Sequence, residues 1–316
     1  MRTEHMENVI LTEKRNPNTI NIDLLSSREI VELINKEDYK IADAVNKELD
    51  NIARAVDIIV ESFLNNGSLI YFGAGTSGRL GILDASECPP TFNADLDMVR
   101  GYIAGGDKAI KKAVEGAEDS FEGGVNDLIN SGAKAKDVVV GISASGNAPY
   151  IQGILKKAKE SGISTIGLAC NKQAKIKEFS DVLITPEVGE EVITGSTRMK
   201  AGTAQKMVLN MLTTASMIRI GKTYENFMID VQPTNKKLRD RATRIVSEIA
   251  DVDYDLAKKV LILANYKVKT AIIMLKASVS SEEAENLLQQ HSGRLREALS
   301  QVLNYSNNIL QCHPEA

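Results

Sequence analysis

The residues best suited to chemistry lie in a glycine-rich segment that follows a short apolar run. Residues 69–72 are apolar, and residues 73–78, with the sequence GAGTSG, add hydroxyl groups at Thr76 and Ser77. Glycines let backbone N–H groups approach a ligand closely, and the N-terminus of a helix that starts at such a loop attracts an anion. The segment therefore predicts a strand, a phosphate-binding loop and the first turn of a helix.

The same loop matches the G-x-G-x-x-G pattern of dinucleotide-binding proteins. Those proteins place an acidic residue at the end of the second strand, about 20 residues further on. Here the second predicted strand runs into Asp107, later than that pattern requires, and a dinucleotide loop has no need of the hydroxyls of Thr76 and Ser77. We therefore favour a monophosphate ligand over a dinucleotide.

A second hydroxyl-bearing loop occupies residues 141–147, after another apolar run. It carries Ser143 and Ser145, and Pro149 suits the first turn of a following helix. Each loop by itself could be a plain strand-to-helix turn in which a hydroxyl caps the helix. Two such loops on one sheet favour a shared phosphate, bound with neither a lysine nor a metal.

Carboxylates are the candidate acid and base groups, because the three histidines all lie outside residues 69–220. Glu87 precedes a Cys-Pro-Pro sequence, and the two prolines predict a rigid turn that would position its side chain. Glu115, Glu118 and Glu122 have the spacing of one helical face, which is usually a solvated face, yet one of them could complete an acid/base pair. An arbitrary glutamate of either kind is most often a plain surface residue.

Residues near position 195 supply a third candidate segment. Glu190 and Ser196 precede a helix of small residues and are candidates to bind sugar hydroxyls or to cap that helix, while Arg198 and Lys200 could pair with acids or with substrate. The three cysteines are isolated, so they form neither a disulfide framework nor a metal pair, and Cys88 is interpreted as a packing residue. No metal site is predicted.

Short apolar runs alternate with helical patterns through the middle of the chain, which indicates a parallel sheet covered by helices on both faces. In such sheets ligands bind at the carboxyl ends of the strands, where the loops 73–78, 143–147 and 185–197 fall. The predicted strands are residues 69–72, 98–103, 137–142, 163–169 and 181–184, and the predicted helices are 107–130 (with a break at Gly116 or Gly123 left open), 149–161 and 198–219.

The region before the sheet has a different pattern. Residues 8–22 are polar and predict an extended arm. Ser26 and Glu29 have the spacing of a capping box before a short helix. An amphipathic pattern predicts one long helix over residues 42–63.

After Gly221 the strand pattern stops, and only short helices are predicted. They span residues 234–250, 255–265, 268–277, 281–290 and 293–304, with Thr234 and Ser281 as N-cap candidates. The predicted domains are an N-terminal arm and helix over 1–50, a catalytic domain that binds a phosphorylated small molecule over 51–230 and a small all-helical domain over 235–316.

Composition excludes several function classes. The 316 residues carry a net charge of −4, whereas nucleic-acid binders need a basic face, and no clear helix-turn-helix of a DNA-binding regulator precedes the sheet. The N-terminus lacks the apolar core of a signal peptide, and no apolar stretch approaches the ~20 residues of a membrane helix. Isolated cysteines suit a reducing cytosol. We therefore predict a cytoplasmic protein with neither a nucleic-acid nor a membrane partner.

Taken together, the two hydroxyl loops and the helix start rich in Ser and Thr resemble the sugar isomerase (SIS) fold, a three-layer αβα sandwich with a doubly wound parallel sheet. Within that superfamily, the chain resembles the N-acetylmuramic acid 6-phosphate etherases over most of its length. The matching segments are TEKRNP (12–17), the uninterrupted stretch 73–90, VEGAED (114–119), GGVNDL (123–128) and GSTRMKAGTAQK (195–206).

The resemblance implies a lyase that releases D-lactate from C3 of the phosphorylated sugar by elimination and then adds water, without a cofactor. By the same resemblance, Glu87 and Glu118 are the acid/base residues, and Ser77, Ser143 and Ser145 bind the phosphate with Thr76 nearby. It also implies a homodimer with active sites near the subunit interface, and the arm at residues 12–17 is expected to help close a site.

Two other functions use the same phosphate loops. An aldose–ketose isomerase would employ a glutamate base and release no lactate. A sugar-phosphate sensor, like the more distantly similar glucokinase regulatory protein, would bind a ligand without turnover. The presence of Glu87 and Glu118 in their motifs favours the lyase.

Overall fold

The computed structural model describes residues 11–231, 233 and 235–302. The described part of the predicted arm is not extended. It forms three short 3-10 helices, Leu11–Glu13, Pro17–Thr19 and Ile22–Leu24, and the side chains of Thr12, Asn16 and Thr19 are buried. The prediction of an extended arm is therefore wrong for residues 11–22, because polar groups of this segment find buried hydrogen-bond partners. Residues 8–10 lie outside the described part.

Two helices follow where the pattern predicted a short helix and one long one. Helix α1 spans Ser27–Asn46 and begins at the predicted capping box of Ser26 and Glu29. Helix α2 spans Leu49–Leu64. The single helix over 42–63 is wrong because the chain leaves helical geometry at Glu48, whose buried carboxylate accepts a hydrogen bond from Thr185 at 3.2 Å.

Five parallel strands form the sheet: β1 Leu69–Gly73, β2 Val99–Ile103, β3 Val138–Ile142, β4 Ser164–Leu168 and β5 Val182–Ile184. Their order across the sheet is β2-β1-β3-β4-β5. This arrangement confirms the predicted doubly wound sheet. Residues Gly73 of β1, Ile103 of β2 and Ile142 of β3 pair in register at the carboxyl ends of their strands.

Different helices cover the two faces of the sheet. Ile70 and Phe72 pack in one hydrophobic cluster with residues of α5 (Phe121–Asn130) and α6 (Pro149–Glu160). Because side chains alternate along a strand, Tyr71 faces the other way, and its hydroxyl donates to Asp84 of α3 (Gly75–Phe92) at 3.0 Å. Thr213 of the later helix α7 (Lys200–Arg219) donates to the same carboxylate at 3.2 Å. The result is the three-layer αβα sandwich.

The segment between β2 and β3 is not one helix. It contains helix α4 (Lys108–Lys111), a 3-10 helix at Ala117–Asp119 and then α5. The α-helix ends at Lys111 and resumes at Phe121, and Gly116 lies within this interruption with φ +72°, in the left-handed region that favours glycine. Consequently Glu115, Glu118 and Glu122 lie in three different local structures, and the prediction that they share one helical face is wrong.

Clustering of contacts divides the chain into two compact units. The first, here called the sheet unit, contains the described residues up to Glu87 together with Asp95–Ser216. The second, the helical unit, contains Cys88–Ala94 and the described residues from Met217 onward. The predicted domain limits at residues 50, 230 and 235 stay predictions.

The helical unit also contains a small hairpin that the sequence pattern missed, β6 Thr223–Tyr224 and β7 Phe227–Met228. The helices of the helical unit pack around a shared apolar core. They are α8 Lys236–Ala250, α9 Tyr254–Leu263, α10 Val268–Ala277, α11 Ser281–Gln290 and the helical residues 295–302.

The helix caps of this unit test two predictions. Thr234 lies outside the described residues, and the neighbouring Asn235 caps α8 by accepting from Leu238 N–H. The cap predicted at Ser281 belongs instead to Ser280, whose hydroxyl and Glu283 form a complete capping box. The one-residue error arises because both positions are serine and only backbone geometry distinguishes them.

Candidate active site

The first hydroxyl loop is a very tight connection, because β1 ends at Gly73 and α3 begins at Gly75. A Cβ atom on Gly73 would lie 2.4 Å from the backbone nitrogen of Gly78, so any side chain there would collide with the first turn of α3. Gly75 has φ +53°. Thr76 and Ser77 therefore fall in the first turn of α3, where unpaired backbone N–H groups attract an anion.

Helix α7 lies against this loop. Ser77 is buried, and its hydroxyl is 2.9 Å from Oε1 of Gln205. A Cβ atom on Gly202 would be 3.4 Å from Cγ2 of Thr76 and 3.5 Å from the carbonyl oxygen of Thr197. The turn that contains the half-buried Ser196 is thus a neighbour of the first loop.

The second loop follows β3 at the same edge of the sheet. Ile142, the residue before Ser143, pairs with Gly73, and paired strands lie about 4.8 Å apart. Ser143 accepts a hydrogen bond from Gly146 N–H at 3.1 Å, and Ser145 accepts one from Asn147 N–H at 3.2 Å. A hydroxyl that accepts from a backbone N–H keeps its own proton for another acceptor. The second loop therefore lies beside the first and has two hydroxyl protons to offer to a ligand.

Glu118 borders the first loop. A cavity of about 170 Å³ is lined by Gly75 of the loop, by Arg79 of α3 and by Glu118, among others. Arg79 is held in place by its hydrogen bonds to the carbonyl oxygens of Ala109 (2.8 Å) and Ile110 (2.9 Å). The structure thus brings one of the two predicted catalytic carboxylates to the edge of the predicted phosphate loop.

Glu87 is placed differently from the sequence prediction. It lies inside α3, with Pro89 and Pro90 following it in the same helix, so the predicted proline-locked turn is wrong. Helix α3 continues through both prolines, and Cys88 and Phe92 beside them are buried. The side chain of Glu87 is exposed. At 1.5 Å per residue, Glu87 is about 18 Å along the helix axis from Gly75, so the first loop and Glu87 do not meet within one chain.

Glu191, not Glu190, caps the third segment. Its carboxylate is fully buried and accepts hydrogen bonds from the N–H groups of Lys200 and Ala201, both at 2.9 Å, at the start of α7. Burial raises the pKa of Glu191, and the two backbone hydrogen bonds oppose that change. Glu190 contributes its backbone carbonyl, which accepts from Asn16 at 3.0 Å. Helix capping was one of the two roles predicted for Glu190, and the neighbouring Glu191 fills that role instead.

A buried ion pair, whose acidic partner the sequence did not indicate, holds this segment to α1. Lys200 lies 2.8 Å from Glu37 of α1, and both side chains are almost fully buried. Glu37 also accepts from Asn16 (2.9 Å), Asn18 (3.0 Å) and Lys40 (2.6 Å). Burial by itself would raise the pKa of Glu37, but the four hydrogen bonds outweigh it and lower the pKa to about 2. Lys200 thus pairs with an acid, one of its two predicted roles.

A second missed carboxylate, Asp84, lies in the motif of Glu87. It is buried between the hydroxyls of Tyr71 and Thr213. Burial raises its pKa, and the two hydroxyls oppose that change. The only sequence signal was its position three residues before Glu87, one turn away on the same helix.

Neither a metal cluster nor a membrane segment emerges from the part of the chain that the structure describes. No group of three or more His, Cys, Asp and Glu side chains within residues 11–231, 233 and 235–302 could hold a metal ion. No helix among these residues is long and apolar enough to cross a membrane.

The sheet order and the paired hydroxyl loops at the strand ends define a SIS-domain protein. Residues 51–159 match the family model of the glucokinase regulatory protein N-terminal SIS domain, and residues 115–215 match the SIS domain model. These matches confirm the predicted fold.

Relatives that align over nearly the whole chain identify the family within the SIS-domain proteins. The chain is 53% identical to the N-acetylmuramic acid 6-phosphate etherase of Caldanaerobacter subterraneus subsp. tengcongensis, over 92% of this chain and 95% of that protein. It is 53% identical to the etherase of Geobacillus sp. WCH70, over 92% and 98% of the two chains. It is 51% identical to that of Clostridium acetobutylicum, over 93% and 97%. The chain belongs to the N-acetylmuramic acid 6-phosphate etherase family and is an enzyme of the carbon–oxygen lyase class.

Proposed function

We propose that this protein cleaves the ether between D-lactate and C3 of N-acetylmuramic acid 6-phosphate, giving N-acetylglucosamine 6-phosphate and D-lactate. The observation that carries the proposal is the cavity shared by Glu118 and the loop residue Gly75, since it joins a candidate base to a phosphate-binding helix start. Family membership supports the same substrate. The predicted cytoplasmic location stays a prediction.

In the proposed complex, the phosphate is bound by Ser77, Ser143 and Ser145, with Thr76 beside them. The two loops are adjacent because Gly73 and Ile142 pair in register. Backbone N–H groups of the first turn of α3 add donors and a favourable helix dipole. The half-buried side chains of Glu190 and Ser196 are proposed to contact sugar hydroxyls beyond the phosphate.

The proposed chemistry needs a carboxylate base and a carboxylate acid. In the open-chain sugar, the C1 aldehyde makes the C2 proton acidic, and Glu118 removes it while the C3–O bond breaks. Glu87 donates a proton to the departing lactate oxygen, which leaves an unsaturated aldehyde. Glu87 then takes a proton from water as its oxygen bonds to C3, and Glu118 returns a proton to C2. Both carboxyl groups end in their starting states, and the net reaction consumes one water.

Glu87 reaches this reaction from a partner subunit in our proposal. It is exposed and about 18 Å along α3 from the loop of its own chain, so it is suited to contribute to a site on another copy. A two-fold dimer would supply one Glu87 to each site. The dimer thus gives Glu87 a catalytic role that it could not have in its own chain, where it lies far from the cavity.

Product analysis in water enriched in oxygen-18 tests the reaction. Elimination followed by hydration predicts D-lactate without label and label at C3 of N-acetylglucosamine 6-phosphate. Glu87→Gln and Glu118→Gln should each lower kcat by about 10²-fold or more, because each removes a proton-transfer group. Glu122→Gln, an exposed neighbour of Glu118, is the control and should leave kcat within about twofold.

Two outcomes would contradict the proposal. Mass-conserving conversion of a sugar phosphate without release of lactate would indicate an aldose–ketose isomerase. Binding of the phosphorylated sugar by folded protein without turnover would indicate a sensor. Label in the lactate instead of at C3 would contradict the elimination route alone.

A further inference from the structure

Gln205 of α7 carries an amide group whose hydrogen bonding is incomplete. The side chain is 1% exposed, and its Oε1 lies 2.9 Å from the hydroxyl oxygen of Ser77. Its Nε2 is buried without a hydrogen-bond partner among the described residues. Buried amide N–H groups are nearly always paired, so this one requires an explanation.

The observed contact determines where the proton of Ser77 points. An amide oxygen only accepts, so Ser77 must donate its single hydroxyl proton to Gln205. A phosphate oxygen also needs a donor. In this arrangement Ser77 therefore has no proton to offer to a phosphate, although it is buried in the first turn of α3, where the phosphate is proposed to bind.

Reversal of the Gln205 amide would give Nε2 a partner and would free the proton of Ser77. One N–H of Nε2 would then donate to the oxygen of Ser77, and the hydroxyl proton would become available for a phosphate oxygen. The terminal torsion of glutamine is broad and roughly two-fold, so the reversal exchanges two similar rotamers in the same space. The amide carbonyl oxygen would lose the serine proton, and the hydrogen bond from Ser77 to the charged phosphate, which is stronger than a neutral one, would offset that loss.

We propose that Gln205 is the positioning residue of Ser77, and that its amide reverses when the phosphate binds. The proposal rests on the phosphate site of the proposed function. Gln205 does not touch the phosphate, and it acts by deciding whether Ser77 accepts or donates. Glutamine suits this role because one end of its amide accepts and the other end donates.

The test measures the affinity of N-acetylglucosamine 6-phosphate by calorimetry, so it does not depend on turnover. Gln205→Met keeps the length of the side chain and removes both hydrogen-bonding ends, and we expect Kd to rise about tenfold. Gln205→Glu offers only acceptors, so it should weaken binding further. Ser216→Ala is the matched control: it removes another buried, unpaired side-chain atom from α7, about 16 Å further along the helix, and should leave Kd within twofold.

A double-mutant cycle with Ser77→Ala separates positioning from plain structural damage. If Gln205 acts through Ser77, Gln205→Met should cost nothing further in the Ser77→Ala background, whereas general damage to α7 would add in both backgrounds. Equal losses in both backgrounds, or a Kd unchanged by Gln205→Met, would overturn the proposal. Failure of the proposed function would show separately, as wild-type protein that binds the sugar phosphate but releases no lactate.

Discussion

At the level of single residues, the carboxylates fall into an exposed group and a buried group. Glu87 and Glu118 are exposed, as suits groups that meet a substrate. Glu37, Asp84 and Glu191 are buried and hydrogen-bonded to neighbouring residues of the fold. Residue type therefore says little about role here, and the surroundings of each carboxylate decide it.

The buried carboxylate of Glu37 predicts a specific pH dependence of stability. Its pKa falls from 4.5 to about 2 on folding, so it stabilises the native state above pH 4.5 and loses that contribution as the pH drops toward 2. Glu37→Gln should lower the free energy of unfolding by about 3 kcal/mol near neutral pH. The difference from wild type should shrink between pH 4.5 and 2.

Urea denaturation at a series of pH values measures this difference. Glu32→Gln, which removes an exposed partner of Arg28 from the same helix, is the control and should cost less than about 1 kcal/mol. A constant difference between wild type and Glu37→Gln from pH 7 to pH 2 would contradict the assignment.

At the level of elements, polar side chains hold together segments that are far apart in the sequence. Asn16, in the N-terminal arm, bonds to Glu37 of α1 and to the carbonyl of Glu190. Thr19 donates to the carbonyl of Val192 at 2.8 Å. The arm is thus fastened to the segment before α7, and the expectation that residues 12–17 help to close a site stays a prediction.

Within the helical unit, Lys269 of α10 likewise joins segments that are far apart in the sequence. Its ammonium group donates to Asp230 (3.0 Å) and to the carbonyl oxygens of Gly221 (3.1 Å) and Gly293 (2.9 Å). Burial lowers the pKa of Lys269, and Asp230 opposes that change. Lys269→Met should destabilise the helical unit by about 3 kcal/mol, because it removes a donor from two carbonyl groups and leaves Asp230 with the longer ion pair to Lys222 at 3.4 Å.

Lys267→Met provides the matched comparison at the start of the same helix. Lys267 is more than half exposed in its ion pair with Glu285, so its loss should cost under about 1 kcal/mol. Hydrogen exchange of the backbone amides in α10 would locate the effect in this unit. Equal stability of the two variants would show that the Lys269 contacts contribute little.

At the level of the whole molecule, the proposed dimer makes a quantitative prediction. Glu87→Gln and Glu118→Gln are each expected to be inactive, but in mixed dimers one of the two sites would receive an intact Glu87 and an intact Glu118. Random pairing of equal amounts should restore about a quarter of wild-type activity, because half of the dimers are mixed and each has one intact site.

Co-expression of the two variants with different affinity tags, followed by lactate assays, measures this recovery. Each variant expressed alone is the control. Mixed dimers with no more activity than either variant would show that Glu87 and Glu118 act within one chain, and the dimer proposal would lose its functional basis.

Much of the fold could be predicted from local pattern. The five strands were placed within about a residue at each end, because buried parallel strands are continuous apolar runs bounded by polar turns. The two hydroxyl loops follow from the same pattern, since a loop after a parallel strand must lie at its carboxyl end. The errors arose where the local sequence is compatible with two backbone structures. A helix could continue or end near Glu48 and Gly116, and the two prolines after Glu87 could form a turn or lie within a helix.

The sequence by itself determined the chemistry that is available: hydroxyl loops for an anion, carboxylates in place of histidines, and the motifs shared with the etherases. Only the tertiary structure decided which groups meet. It paired Lys200 with Glu37, set Gln205 against Ser77, brought Glu118 to the first loop and left Glu87 exposed at a distance. The physical reason is that burial and hydrogen bonding join residues far apart in the sequence, such as Glu37 and Lys200 or Ser77 and Gln205, and local sequence patterns carry no information about such pairs.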